Sequence, residues 1–354
     1  MATAHKIRVL IVADSALMRQ VLGTLLAQDP LVEVVGVADD PYVAREKIRR
    51  LNPDVITLDV EMPRMDGLAF LERLMRARPM PVVIVSSLTE AGCATALRAL
   101  ELGAVDFVTK PKLDLREHLP EVAQEVIEKV KAAAAARIHR APAPLKSPAG
   151  APARPATGAL IESTDQVIAV GASTGGPEAL KELLVRLPAD CPGMVVVQHM
   201  PVEFTRVFAD RLDSLCTVRV QEAGDGDRVL TGHALVAPGG FHMRLTRTGA
   251  TYLVKLDTEP PVNRHRPSVD VLFNSCSETA GPNAVGVIMT GMGDDGARGL
   301  LAMRNAGART LVQDEATCVV FGMPKAAIDL GGAERVLPLG QLADAVLTLA
   351  RANR

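Results

Sequence analysis

Serine, histidine and aspartate stand in this chain at three places where a hydrolase would need them. GASTG, residues 171–175, has the G-x-S-x-G spacing and lies between an apolar run, VIAV, and a helical-period run, PEALKELL. That strand-to-helix context is what a nucleophile turn demands. Small neighbours of Ser173 permit the sharp bend, and the helix N-terminus behind it offers N–H groups and a positive dipole end to an oxyanion. A serine needs a general base at neutral pH. His199 ends the apolar run MVVVQ, which brings its side chain to the sheet edge that holds Ser173; His233, His242 and His265 compete for the same role. An orienting carboxylate is offered by Asp294 and Asp295 in TGMGDDGARG, and the pattern does not choose between them. Two blander readings stand beside this one. GASTGGP could cradle a phosphate, although it lacks G-x-G-x-x-G and GK[ST], and Asp294 and Asp295 could hold a cation without catalysis. The order Ser, His, Asp differs from the Ser, Asp, His order of α/β-hydrolases, so the geometry would be carried by another fold.

A second constellation lies nearer the N-terminus. Asp14 follows the run IRVLIVA, Asp59 ends DVITLD, Ser86 ends PVVIVS and Lys110 follows AVDFVT. In a parallel sheet, functional side chains collect at the carboxyl ends of the strands, so Asp14, Asp59 and Lys110 imply one site. Two adjacent carboxylates repel unless a cation holds them, which makes Mg²⁺ the natural reason for pairing Asp14 with Asp59. The ion would also neutralise a phosphoryl group added to one of them, with Lys110 as a second positive partner and the Ser86 hydroxyl as a donor. Taken singly, each is an ordinary solvated turn residue; the joint placement carries the reading.

The elements that must position these residues follow from hydrophobic periodicity. Five short apolar runs alternate with helical-period segments from Ile7 to about Arg137, and continuous apolar strands imply a parallel sheet covered on both faces. Between 138 and 162 the pattern dissolves into a Pro/Ala-rich linker containing Pro142, Pro144, Pro148, Pro152 and Pro155. Alternation then resumes with QVIAV, MVVVQ, HALVAP, AVGVIMT and ARTLVQ, and FHMRLTRTGATYLVKL reads as a hairpin about Thr248 and Gly249 that adds to the sheet. The fold class is therefore α/β, with two doubly wound parallel-sheet domains over 1–137 and 163–354.

Composition narrows the function classes. The 354 residues are 48% hydrophobic and 23% charged, with net charge −2, no Trp, two Tyr and seven Phe. This supplies neither the basic footprint nor the stacking surface of a nucleic-acid binder. Five scattered cysteines without a C-x-x-C pair fit reduced buried thiols. No signal peptide and no membrane-length apolar run is evident, so a soluble cytoplasmic protein without membrane insertion is expected.

The first segment resembles response-regulator receiver domains through ADSALMR, LDVEMPRMDG, VSSLT and GAVDFVTKP. The resemblance implies a flavodoxin-like receiver in which Asp59 is phosphorylated and Ser86 and Lys110 read the phosphoryl group. It also implies that Asp14, Asp59 and the Glu61 backbone carbonyl bind Mg²⁺. One position departs from the pattern: Ala13 stands where receivers carry the first of two acids, and weaker Mg²⁺ binding with slower phosphorylation is expected.

The second segment, through GASTGGPEAL, VVQHMP, APGG with FHM, NRHRPSVDVLF and MTGMGDDGARG, resembles the catalytic domain of the CheB-type protein-glutamate methylesterases of bacterial chemotaxis. That resemblance implies a Rossmann-like methylesterase domain with Ser173 as nucleophile, His199 as base and Asp295 as the orienting acid. It further implies a Thr174 hydroxyl beside the histidine and the Met292 N–H as oxyanion donor. The activity implied is hydrolysis of glutamate methyl esters on methyl-accepting chemotaxis receptors, releasing methanol, with glutamine deamidation through the same intermediate and no cofactor for either. Phosphotransfer from the histidine kinase CheA would relieve a receiver that covers the active-site face. Against this stand a receiver-regulated hydrolase of some other protein, a non-catalytic scaffold, and a transcriptional regulator, for which no basic recognition helix is present.

Overall fold

The structure is a computed structural model that describes residues 6–62, 67–111, 119–138 and 164–352. The chain divides into two compact units, Met1–Pro144 and Leu145–Arg354. The linker expected over 138–162 lies, from 139 onward, outside the described residues.

The first unit alternates β1 (Ile7–Val12), α1 (Ala16–Leu26), β2 (Val32–Ala38), α2 (Pro41–Leu51), β3 (Val55–Asp59), α3 (Gly67–Ala77), β4 (Val82–Ser86), α4 (Glu90–Glu101), β5 (Asp106–Thr109) and α5 (Leu119–Ala135). Its five strands are all parallel in the order β2-β1-β3-β4-β5. The inner strands β1, β3 and β4 bury nearly every residue. The edge strand β2 does not, and Val37 stays 39% exposed because an edge is only partly covered. Helix starts are encoded locally. Ser15 Oγ accepts from Met18 N–H, and Asp40 accepts from Tyr42 N–H and Val43 N–H ahead of Pro41 in the first turn.

The second unit runs β6 (Val167–Ala172), α6 (Gly176–Leu184), β7 (Gly193–Gln198), α7 (Val202–Asp213), β8 (Arg219–Glu222), β9 (His233–Val236), β10 (His242–Thr248), β11 (Thr251–Asp257), α8 (Val269–Thr279), β12 (Ala284–Ile288), α9 (Ala297–Asn305), β13 (Arg309–Gln313), α10 (Met323–Asp329), β14 (Arg335–Leu337) and α11 (Leu339–Ala352). Seven parallel strands form one sheet, ordered β14-β13-β12-β6-β7-β9-β8. The two edge strands, β8 and β14, are short and half-exposed, so no apolar run marked them in the sequence.

The hairpin forms where expected, pairing His242 with Asp257 through Thr248 with Thr251. It does not add to the main sheet as expected but makes a separate two-stranded sheet. Its apolar face explains this. Met243, Leu245, Tyr252 and Val254 are buried in one core with Leu272, Phe273 and Cys276 of α8, and Leu245 N–H donates to Ser275 Oγ at 2.8 Å. The hairpin is thus held by packing on a helix and by backbone hydrogen bonds between β11 and residues 226–229, such as Val229 N–H to Tyr252 O at 2.9 Å, rather than by ladder hydrogen bonds to the main sheet.

Candidate active site

From β6 the chain proceeds to β7 on one side, and it later returns to β12 on the other. This is the switch point of a doubly wound sheet, where a crevice opens at the carboxyl ends of the strands. Ala172 and Gln198 are the last register pair of β6 and β7, which puts Ser173 and His199 one step beyond on adjacent strands. His199 N–H donates to Ala172 O at 3.1 Å, and Ser173 N–H donates to Thr290 O at 3.0 Å, drawing in the end of β12. Gln198 Nε2 donates to both Ser173 O (3.0 Å) and His199 O (3.1 Å), so one buried amide ties the two turns together. Gly175 begins α6 with φ 76°, and a Cβ there would stand 2.6 Å from Val319 Cβ, which is why the turn needs glycine.

His199 Nε2–H donates to Asp295 Oδ2 at 2.8 Å, with side chains 5% and 1% exposed. The alternative acid, Asp294, is exposed, so the structure separates two neighbours that the pattern left open. Asp295 Oδ1 accepts from Asn263 Nδ2 (2.7 Å) and Ser268 Oγ (2.7 Å), and Oδ2 also accepts from Val269 N–H (2.7 Å). Burial alone would push this carboxyl up, but the hydrogen bond and charge of His199, with those of Asn263 and Ser268, hold it well below the usual carboxylate range.

The competing histidines have other places. His233 opens β9, at the opposite end of the strands. His242 accepts Ser268 N–H on Nδ1 at 3.3 Å, leaving Nε2–H to donate to Pro260 O at 3.1 Å. His265 lies on His199 itself, ring centroids 3.7 Å apart and planes 12° apart.

Ser173 is 5% exposed and Thr174 2%. His199 Nδ1 is buried without a hydrogen-bond partner among the described residues, so Ser173 and His199 are neighbours but not hydrogen-bonded. The loop after β12 passes directly over the serine: a Cβ added to Gly291 would stand 2.8 Å from Ser173 Cβ. Thr174 contributes its carbonyl, which accepts from Thr290 Oγ1 at 3.0 Å.

In the first unit, Asp59 is 1% exposed at the end of β3 and accepts from Lys110 Nζ at 3.0 Å and from Glu61 N–H at 2.9 Å. Burial chiefly, and the Asp14 charge in smaller measure, push its carboxyl up against the pull of Lys110. The Ser86 hydroxyl is turned to Gly92 O at 2.9 Å. The Glu61 side chain, for which the sequence reading had no role, accepts from Lys110 Nζ at 2.8 Å and from Ser87 Oγ.

Asn263, Ser268 and Gln198 also went unassigned from sequence. The available signal was polar residues inside apolar runs, MVVVQH and NRHRPSVDVLF, where burial requires each to have a partner.

Residues 168–346 match the CheB methylesterase family and residues 9–120 the response regulator receiver domain. The protein-glutamate methylesterase/protein-glutamine glutaminase 2 of Cupriavidus pinatubonensis is 57% identical over 345 residues, covering 98% of this chain and 96% of that protein. The protein-glutamate methylesterase/protein-glutamine glutaminase of Bordetella parapertussis is 59% identical over 344 residues, covering 97% of each. Among solved structures, the CheB methylesterase catalytic domain of Thermotoga maritima superposes with a TM-score of 0.51 at 38% identity, covering 53% of this chain and 100% of that domain. With the Ser173, His199 and Asp295 side chains gathered at one switch point and relatives alike over nearly their whole length, this chain belongs to the CheB methylesterase family and carries a response regulator receiver domain ahead of the family domain.

Proposed function

We propose that this chain hydrolyses glutamate methyl esters on methyl-accepting chemotaxis receptors, releasing methanol, and deamidates receptor glutamines at the same site. The observation that carries the reading is the buried His199–Asp295 hydrogen bond of 2.8 Å one residue beyond the strand pair that also leads to Ser173. Asp295 holds the proton on Nε2 and so leaves Nδ1 as the basic nitrogen. His199 Nδ1 takes the Ser173 proton as Oγ attacks the ester carbonyl, and the oxyanion that forms is met by the Met292 N–H. The proton passes to the departing methoxide, methanol leaves, and a glutamyl-serine ester remains. Water, deprotonated by the same imidazole, releases free glutamate. The Thr174 hydroxyl would support the imidazole, and its carbonyl, accepting from Thr290 Oγ1 at 3.0 Å, ties down the turn that carries the nucleophile. An amide follows the same course with ammonia as leaving group, and hydrolysis takes no cofactor.

Asp59 is the proposed phosphorylation site, with a histidine kinase of the CheA type as phosphodonor on the cytoplasmic side. Asp14, Asp59 and the Glu61 main-chain carbonyl form a set of hard oxygen donors suited to Mg²⁺, and the repulsion by which Asp14 helps raise Asp59 is what a cation would relieve. An ion held by these groups would supply charge neutralisation for an incoming phosphoryl group. Lys110 is shared between Asp59 and Glu61 and is raised by both carboxylates, although burial works against its charge. It therefore stays cationic and can turn to a phosphoryl oxygen, as the Ser86 hydroxyl can on leaving Gly92 O.

The test is methanol release from methylated chemoreceptor membranes by wild type and Ser173→Ala, with and without a small-molecule phosphodonor and Mg²⁺. Release that depends on Ser173 and rises with phosphodonor is expected. Undiminished release by Ser173→Ala would overturn the assignment of the nucleophile.

A further inference from the structure

The His199 imidazole is held at one atom and on one face. Its Nε2–H donates to Asp295, its Nδ1 has no hydrogen-bond partner among the described residues, and the His265 ring lies flat against it with centroids 3.7 Å apart. A single hydrogen bond fixes one ring atom but not the ring plane. The imidazole could turn about the Nε2···Oδ2 line, and that turn would change where Nδ1 points. A second flat ring on its face removes this freedom, because turning either ring drives its edge into the other.

The segment carrying His265 is shaped to keep both of His199's partners in place. Asn263 and Arg264 hold φ of 51° and 68°, the left-handed region that an arginine rarely adopts. Reciprocal hydrogen bonds close the turn, Val262 N–H to His265 O at 3.1 Å and His265 N–H to Val262 O at 2.9 Å. From that turn Asn263 Nδ2 donates to both Asp295 Oδ1 (2.7 Å) and Asp270 Oδ2 (2.8 Å), and Ser268 at the far end donates to Asp295 Oδ1. One stretch of seven residues, 262–268, therefore anchors the carboxylate by hydrogen bonds and presents the ring that covers the imidazole.

We infer that His265 is a positioning residue for the ester hydrolysis: it acts through His199, keeping the imidazole in the plane that turns Nδ1 toward Ser173. The inference rests on the reading of Ser173, His199 and Asp295 given above. What matters in it is a flat ring at position 265, not a ring nitrogen.

Full-length His265→Ala and His265→Phe, assayed for methanol release from methylated chemoreceptor membranes alongside Ser173→Ala and His199→Ala, test it. A small misalignment of a reacting group costs on the order of 10²-fold. His265→Ala is accordingly expected to lose about 10- to 100-fold in kcat with KM unchanged, while His265→Phe, keeping the stacked face, stays within about threefold of wild type. Wild-type kcat in His265→Ala overturns the inference. So does a phenylalanine variant as slow as the alanine one, which would assign the effect to a ring nitrogen. If His265→Ala does not fold by circular dichroism, His265→Leu takes its place, filling volume without a flat face; it is expected to show the same fall, and full activity there overturns the inference. Undiminished turnover by Ser173→Ala or His199→Ala would instead remove the underlying reading, so the two failures are told apart.

Discussion

His199 donates Nε2–H to Asp295 Oδ2 at 2.8 Å while its Nδ1 remains without a hydrogen-bond partner among the described residues. A buried imidazole nitrogen that makes no bond is costly unless something else uses it. The orientation is the reverse of the arrangement in which Nδ1 meets the carboxylate. Asp295 reaches His199 from the β12–α9 loop, on the far side of β6 from β7.

The acid of the site is distinguished by two substitutions. Asp295→Ala removes the acceptor for His199, Asn263, Ser268 and Val269 N–H together, so turnover is expected to fall by roughly 10⁴-fold. Stability should fall by about 3–5 kcal/mol, as when one partner of a buried pair is lost. Asp294→Ala, at an exposed position, is expected within about 0.5 kcal/mol of wild type in urea unfolding. Equal losses in the two variants would refute the assignment.

Acid should weaken the second unit through the same residue. The Asp295 carboxyl titrates lower in the folded protein than in the unfolded chain. Its contribution to stability is therefore present above the ordinary carboxylate value of about 3.9 and is lost as pH falls toward the folded value. Urea midpoints of wild type and Asp295→Asn, measured from about pH 6 down to about pH 3, are expected to converge on the acid side. A constant gap would show that the carboxylate's charge contributes nothing.

Burial pushes the thiols of Cys191, Cys216 and Cys276 up to about 12. Thiolate is the nucleophile, so these three should resist iodoacetamide in the native protein at neutral pH and label fully in urea, as read by peptide mass spectrometry. Because the raised value favours the neutral thiol in the fold, stability should be intact below the ordinary thiol range and decline as pH rises toward 12. Rapid native labelling at any of the three would contradict the packing around it.

At the receiver, Asp59→Asn is expected to abolish stimulation by phosphodonor while leaving basal methanol release intact. Ala13→Asp should lower the Mg²⁺ concentration needed for half-maximal phosphorylation by about 10-fold, the scale of a supporting ligand interaction. An unchanged Mg²⁺ dependence would mean that the missing acid has no bearing on activation.

Much of this protein is legible in one dimension. Short, Val-rich apolar runs such as VIAV and MVVVQ, bounded by turn residues, read as buried parallel strands, and the small residues around Ser173 permit a tight turn before α6. That Ser173, His199, Asp59 and Lys110 stand at strand ends follows from these local constraints, because hydrophobic period and turn chemistry act over a few neighbouring residues, whereas only the resemblance sets His199 apart from His233, His242 and His265. Strands β8 and β14 escaped notice because they are short, half-exposed and at the sheet edge. The hairpin β10–β11 was legible as a hairpin, but not as a separate sheet packed on α8.

What only the tertiary structure decided is which side chains meet. Asp294 and Asp295 are adjacent in sequence and equivalent in type, and only the fold tells them apart: Asp294 is exposed, while Asp295 is buried and accepts from His199, Asn263, Ser268 and Val269. Asn263 and Ser268 reach Asp295 across roughly thirty residues of chain. His265, first a competitor for the role of base, lies instead against the ring of His199. Local sequence determines how each segment folds, but burial obliges every polar group to find a partner, and those partners arrive from segments that only the completed sheet brings together.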